Sequence, residues 1–335
     1  MMASPHMHER IPLNTLAIPF GLSGLAEVWS LAGVAAGWPS EVGGALWWLA
    51  GIAWVWMIVA HVVRGAQSTE SLSSQLRHPA QGPIAALVPV VGMLLGAALY
   101  KVSPAAGTAL VVASIAAATL FAGWILNFWL NGAVQMNVVH GGYFLPTVAA
   151  GLIASTTAAE VGLTSLAIGA FAVGILFWVM IYAVLIARFA TRAALPAALT
   201  PTLAIIVAPP AVAGSAWFAI GGEKLGSLEY ALAAVTVLMV VLQLFLLPRY
   251  LKLPFSLGFW SFTFSFAAVG AYMIEWLTLS HPVGWLPLVM AVLAGITALI
   301  GTIGVKSILL VFASRHRMET SISAITLTDI RPEAS

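Results

Sequence analysis

The chain has 335 residues, 61% of them hydrophobic and 7% charged, whereas soluble domains carry about 25% charged residues. So sparse a supply of charge cannot cover a water-facing surface, which excludes a soluble globular protein and leaves lipid as the solvent for most of the chain. Basic and acidic residues nearly balance, at a net charge of +2, and the absence of cysteine excludes disulfides, thiolate metal sites and cysteine nucleophiles.

In chain order, a short tail (1–11) with Glu9 and Arg10 leads directly into a long apolar run. No short apolar core with a small-residue cleavage site intervenes, so the first span is expected to remain in the protein. That span, near 12–33, holds Pro19 within Ala-Ile-Pro-Phe-Gly, the small residues Gly21, Ser23, Gly24 and Ala26, and the acidic Glu27. The second, near 44–64, is bulky, with Trp47, Trp48, Trp54 and Trp56. A polar connection over 65–81 reads as a solvated linker with room for a short surface helix. Pro89 lies in the third span (82–100), and Phe121, Trp124, Phe128 and Trp129 in the fourth (108–130). The fifth (143–159) carries Pro146, Thr147 and Ala149-Ala150-Gly151; the sixth covers 164–187, and the seventh (199–220) holds Pro209 and Pro210. An eighth span (228–248) precedes a ninth (256–279) rich in aromatics, and the tenth (284–312) runs into a Ser- and Thr-rich tail, 314–335, expected to be disordered. Ten spans of about 20 residues leave only short loops and two tails, so 12–313 forms one membrane domain with no folded domain beside it.

The charges support an even number of spans. With a cytoplasmic N-terminus, the inside segments hold Arg10, Arg64, Arg77, Arg188, Arg192, Arg249, Lys252, Lys306, Arg315, Arg317 and Arg331, and the outside loops only Lys101 and Lys224. One missed span midway would scramble that segregation, so both termini are expected on the cytoplasmic side.

Prolines mark a repeat. Pro19, Pro89, Pro146 and Pro209 fall inside successive odd-numbered spans, one helical hairpin apart, while the even-numbered interiors have none. A proline inside a helix removes a hydrogen bond and bends it, and the freed carbonyl is tolerable beside a wet cavity rather than lipid. The odd spans are also rich in small residues, as pore-lining helices would be, although close helix packing asks for the same residues. The bulky even spans suit a lipid-facing or protein-facing ring.

The ordered pieces His78-Pro79, Tyr143-Phe144-Leu145-Pro146-Thr147, Val207-Ala208-Pro209 and Trp260-Ser261-Phe262-Thr263-Phe264 resemble the tellurite-resistance/dicarboxylate transporter family, which includes TehA-like bacterial proteins and plant slow-anion-channel homologues. The resemblance covers roughly 12–313. It implies an all-α integral membrane fold, with ten transmembrane helices as five hairpins in a quasi-five-fold ring around a central pore, and a homotrimeric assembly. It also implies that Phe264 plugs the pore; the ninth span lacks a central proline, with Pro254 just before its start, and Phe264 stands near the vacant place. Phe262 and Phe266 lie about 200° away from Phe264 around the helix and should pack on neighbouring helices.

The function so implied is an anion channel passing small monovalent anions such as chloride or nitrate, in the inner (plasma) membrane. Small inorganic anions and membrane lipids are its expected partners, with no nucleic acid and no cofactor. No Lys or Arg stands mid-span, so anion preference follows from the resemblance, helped by positive helix ends. Glu27 leaves an alternative open: a carrier or proton-coupled exporter of tellurite, sulfite or a C4-dicarboxylate, with Glu27 as a proton or vestibule site rather than a locally bonded interfacial carboxyl. Asn14, Ser23, Thr147, Ser155 and Thr156 are candidate pore liners, although Ser and Thr often bond only to their own helix. His61, His140 and His281 stand singly, as structural histidines do. No metal or phosphate motif and no clustered acid and base occur, so an enzyme is not expected.

Overall fold

The computed structural model describes residues 10–132, 134–221 and 225–328, with side chains as far as Ala313. Glu9, Glu223, Lys224 and Arg331, and the side chains of Arg315 and Arg317, lie outside the described residues. The described chain is helical, in the order α1 (Leu13–Ala36), α2 (Glu41–Ala66), the short α3 (Leu72–Arg77), α4 (Gly82–Tyr100), α5 (Pro104–Leu130), α6 (141–160), α7 (Thr164–Thr191), α8 (Thr200–Gly221), α9 (Ser227–Tyr250), α10 (Leu257–Ser280) and α11 (Trp285–Thr328). The polar 65–81 connection thus contains a helix, α3, whose Ser71 side chain accepts from the Ser74 amide at 3.1 Å. The last helix continues to Thr328, through most of the 314–335 tail that the sequence reads as disordered.

Among the described residues, nine helices are long and apolar enough to cross a membrane, one fewer than the ten expected spans. The one missing from that set is α6. It is helical throughout 141–160 but changes from a 3-10 turn to a π turn to an α-helix, and Thr147, Ser155, Thr156 and Thr157 dilute its apolar run. Almost all of it is buried, so it has little need of a lipid-soluble surface.

Burial sorts the helices into two sets. Along their most apolar stretches, 50–72% of the residues of α1, α4, α8 and α10 are buried, against 6–22% for α2, α5, α7, α9 and α11. Large side chains of the second set face outward: Trp48 is 73% exposed and Phe245 81%. An apolar exterior of this kind is what lipid requires. Contacts follow the same division. In the inner set α1 packs on α4, α4 on α6, α6 on α8, α8 on α10, and α10 on α1. Each outer helix packs on the inner helix before it, α2 on α1, α5 on α4, α7 on α6, α9 on α8 and α11 on α10.

Small residues bring these pairs together. Gly151 and Gly174 meet between α6 and α7, where a Cβ on Gly151 would come within 2.8 Å of the Gly174 Cα. Gly21 and Gly24 let α1 approach α10 so closely that a Cβ on Gly21 would run into the Thr263 side chain.

The prolines act differently from the expected kinks. In α1, α4 and α8 a 3-10 stretch ends at Leu16, Ala86 and Val207, and the α-helical part begins at the next residue. Pro19, Pro89 and Pro210 each occupy the third α residue. That position belongs to the first turn, whose N–H groups have no partner within the α-helix, so proline costs no α-helical hydrogen bond there. In α10 the same junction falls after Trp260, and the third residue is Thr263, whose Oγ1 donates to the Trp260 carbonyl at 2.7 Å. Phe264 therefore stands one residue beyond the proline register.

Candidate functional site

Two cavities adjoin within the inner helices. The first, of about 430 Å³, is bordered by the starts of these helices, and the second, of about 340 Å³, by their later turns. Ile153, Val212 and Phe264 border both. The Phe264 ring is covered on its α1 side by Phe20, with ring centroids 3.6 Å apart and planes 14° from parallel. One turn further along α1, Gly24 makes room for it: a Cβ there would lie 3.1 Å from Phe264 Cδ2. Phe262 is buried instead against Tyr250, whose ring meets it edge-on at 4.8 Å, and Phe266 packs on Phe262 at 6.0 Å. Helical spacing anticipated that division between Phe264 and its two neighbours.

The first cavity has mostly apolar walls, among them Phe20, Leu87, Phe144 and Val148. Its lining also includes the polar residues Gln81, His140, Ser261 and Ser265. Asn14, Ile84, Gly142, Thr202 and Gly258, each in the first turns of a different inner helix, all border it. Helix starts carry a positive partial charge of roughly half a unit each, while the amides of Ile84, Gly142 and Thr202 are engaged by the Gln81 carbonyl, His140 Nδ1 and the Leu199 carbonyl. Asn14 also keeps its Oδ1 buried without a hydrogen-bond partner.

One wall of this cavity is pinned by His140. Its Nδ1 accepts from the Gly142 amide at 3.1 Å and its Nε2 lies 3.0 Å from the Ala80 carbonyl, so the proton resides on Nε2. Burial, reinforced by nearby Arg188 and only partly offset by the Ala80 bond, lowers its pKa to about 4. The imidazole is neutral near pH 7. Beside it the Tyr143 hydroxyl donates to the Pro79 carbonyl at 3.0 Å, so the fifth-span motif holds the His78-Pro79 segment in place.

Charged side chains gather in the second cavity, where Glu27, Lys101, Glu160 and Glu275 share the lining with Ser23 and Thr156. Ser215 Oγ donates to Glu275 at 2.5 Å. Among the described residues no three His, Asp or Glu side chains converge to hold a metal ion.

Of the residues singled out in the sequence, Phe264 lies where the cavities adjoin, Asn14 and Pro209 border the first, and Ser23, Glu27 and Thr156 border the second. Pro19, Pro89, Pro146, Thr147 and Ser155 border neither. Thr147 and Ser155 are buried, and their hydroxyls have no partner. Sequence reasoning passed over Phe20 and left Lys101 and Glu160 in loops. Phe20 was signalled by its place directly after Pro19, although only the fold shows which ring it meets.

Residues 10–305 match the family model described as SLAC1, voltage-dependent anion channel. The chain is 25% identical over 263 residues to the tellurite resistance protein TehA homolog of Haemophilus influenzae, across 77% of this chain and 79% of that protein. It is 23% identical over 278 residues to the S-type anion channel SLAH2 of Arabidopsis thaliana, across 80% of this chain and 53% of that longer protein.

Proposed function

The chain belongs to the SLAC1 family of voltage-dependent anion channels, and from that premise we propose that it is a passive channel for small monovalent anions such as chloride or nitrate, closed by Phe264. The observation that carries this reading is the position of Phe264 between two cavities that together follow the inner helices. An aromatic ring across a narrow passage blocks ions by dewetting, because an ion cannot trade its hydration shell for a phenyl face. In this reading α6 is the tenth crossing. The ten helices form five hairpins, and the inner-helix contacts that return from α10 to α1 enclose the pore. Anion preference draws support from the five helix starts around the first cavity, which supply positive potential without a basic side chain. The segregation of Lys and Arg supports an inner-membrane protein with both termini, and hence the first cavity, on the cytoplasmic side. A homotrimer with one pore per subunit completes the proposal.

Planar-bilayer recording of the parent and Phe264→Ala proteins tests it. Phe264→Ala is expected to raise the current at least tenfold, with reversal potentials that follow a chloride or nitrate gradient. A folded Phe264→Ala protein as silent as the parent removes the gate, and reversal potentials that track the cation remove the anion assignment.

Glu27 and Glu160 in the second cavity favour one other reading, a carrier or proton-coupled exporter of tellurite, sulfite or a C4-dicarboxylate. Flux that saturates with substrate and follows an imposed pH gradient would establish that alternative over a channel.

A further inference from the structure

The plug has a second ring. Phe264 is the fourth residue after its 3-10 stretch ends at Trp260, and Phe20 is the fourth after Leu16. The equivalent places are Val90 in α4 and Ala211 in α8, with Thr147, which directly follows Pro146, in α6; all three are buried. Only α1 and α10 carry a ring at this level, and they are neighbours. Their rings meet face to face at 3.6 Å.

Phe20 borders the first cavity and not the second, while Phe264 borders both. Phe20 therefore backs Phe264 from the side of the helix starts. Four residues on, along the same face of α1, Gly24 leaves room for the near edge of Phe264, whose Cδ2 would lie 3.1 Å from a Cβ placed there. We propose that Phe20 is a positioning residue for the gate, holding the Phe264 ring across the passage and setting how often it opens. The inference rests on the reading of Phe264 as the plug.

The physics suits a latch that can be released. Rings centred this closely have little lateral offset, so their quadrupoles favour the pair less than an offset or edge-on arrangement would. What holds them is mutual burial of two apolar faces. Removing the Phe20 ring would uncover the face of Phe264 that it stacks on, beside the first cavity that both rings border. Contact on this scale shifts an open–closed equilibrium by roughly 2- to 10-fold.

The test compares single-channel records of the parent, Phe20→Ala, Phe264→Ala and the double variant, reconstituted at equal protein density. Phe20→Ala is expected to raise open probability by roughly 2- to 10-fold, leaving the unitary current of each opening unchanged. The double variant is expected to match Phe264→Ala alone, since no ring remains to be held. Phe20→Leu, which keeps apolar volume without a ring, gives the same comparison should Phe20→Ala not fold, and is expected to restore part of the closure. If Phe264→Ala conducts while both Phe20 variants open as rarely as the parent, the latch is refuted and the gate survives. A double variant in which the two effects multiply also refutes it, since Phe20 would then act independently of Phe264. If Phe264→Ala is itself silent, the gate falls first and the latch with it.

Discussion

With both ring nitrogens of His140 engaged and its pKa lowered to about 4 by burial, the folded protein binds a proton there less readily than the unfolded chain, whose histidine titrates near 6.5. The stability contributed by neutral His140 is therefore complete above about pH 6.5 and declines as pH falls towards 4. Detergent-solubilised protein should show a melting temperature that drops across that window. In His140→Gln the drop should be shallower, with a lower starting point from about 1–2 kcal/mol of lost hydrogen bonding. A second residue-scale prediction concerns Gly21. In Gly21→Ala the new Cβ runs into the Thr263 side chain, so the variant is expected to lose about 1–3 kcal/mol, seen as reduced thermal stability. The sequence identified His140 as structural because it stands alone, and Phe264 through its family motif. It did not identify Phe20, because no spacing rule shows which rings from the first and ninth spans will touch.

At the scale of the helix, the proline repeat was legible and its consequence was not. The four prolines do mark equivalent helices, but they sit where a 3-10 or π stretch hands over to the next helical type, so no sharp kink is needed. Thr263 holds the same place in α10. Thr263→Pro is accordingly expected to fold with a modest loss of stability. Ala267→Pro, one turn later, removes an interior N–H and crowds the preceding turn, and should cost about 3 kcal/mol or more. Thermal unfolding of the two variants side by side checks the junction. The helix count shows the same contrast. Nine helices announce themselves by length and hydropathy, whereas α6 is the most enclosed of the inner set and carries the hydroxyls and mixed turns that enclosure permits.

Across the whole molecule, charge is arranged lengthwise. Five helix starts surround the first cavity, and three carboxyl groups with one ammonium line the second. In the sequence Lys101 and Glu160 read as loop residues, and sequence cannot tell a loop residue facing bulk water from one facing a cavity. On a Phe264→Ala background, Glu27→Gln is expected to increase anion current and Lys101→Gln to decrease it, each by a few-fold. A unit charge about 5 Å from the ion path is worth roughly 1 kcal/mol in a water-filled cavity. Single-channel currents in symmetric chloride measure both, and currents unchanged by the two substitutions would show that neither side chain faces the permeating ion.

The inner-helix contacts include one that the chain itself does not bridge. Neighbours from α1 to α4, α4 to α6, α6 to α8 and α8 to α10 are each joined through an outer helix, but α10 and α1 stand at opposite ends of the domain. They are clasped by the close approach of Gly21 and Gly24, and by a bond from Trp29 Nε1 to Thr297 Oγ1 of α11 at 3.1 Å. Phe20 and Phe264 lie on that seam. If α1 and α10 part, the two aromatic side chains part with them, since no intervening outer helix joins that pair.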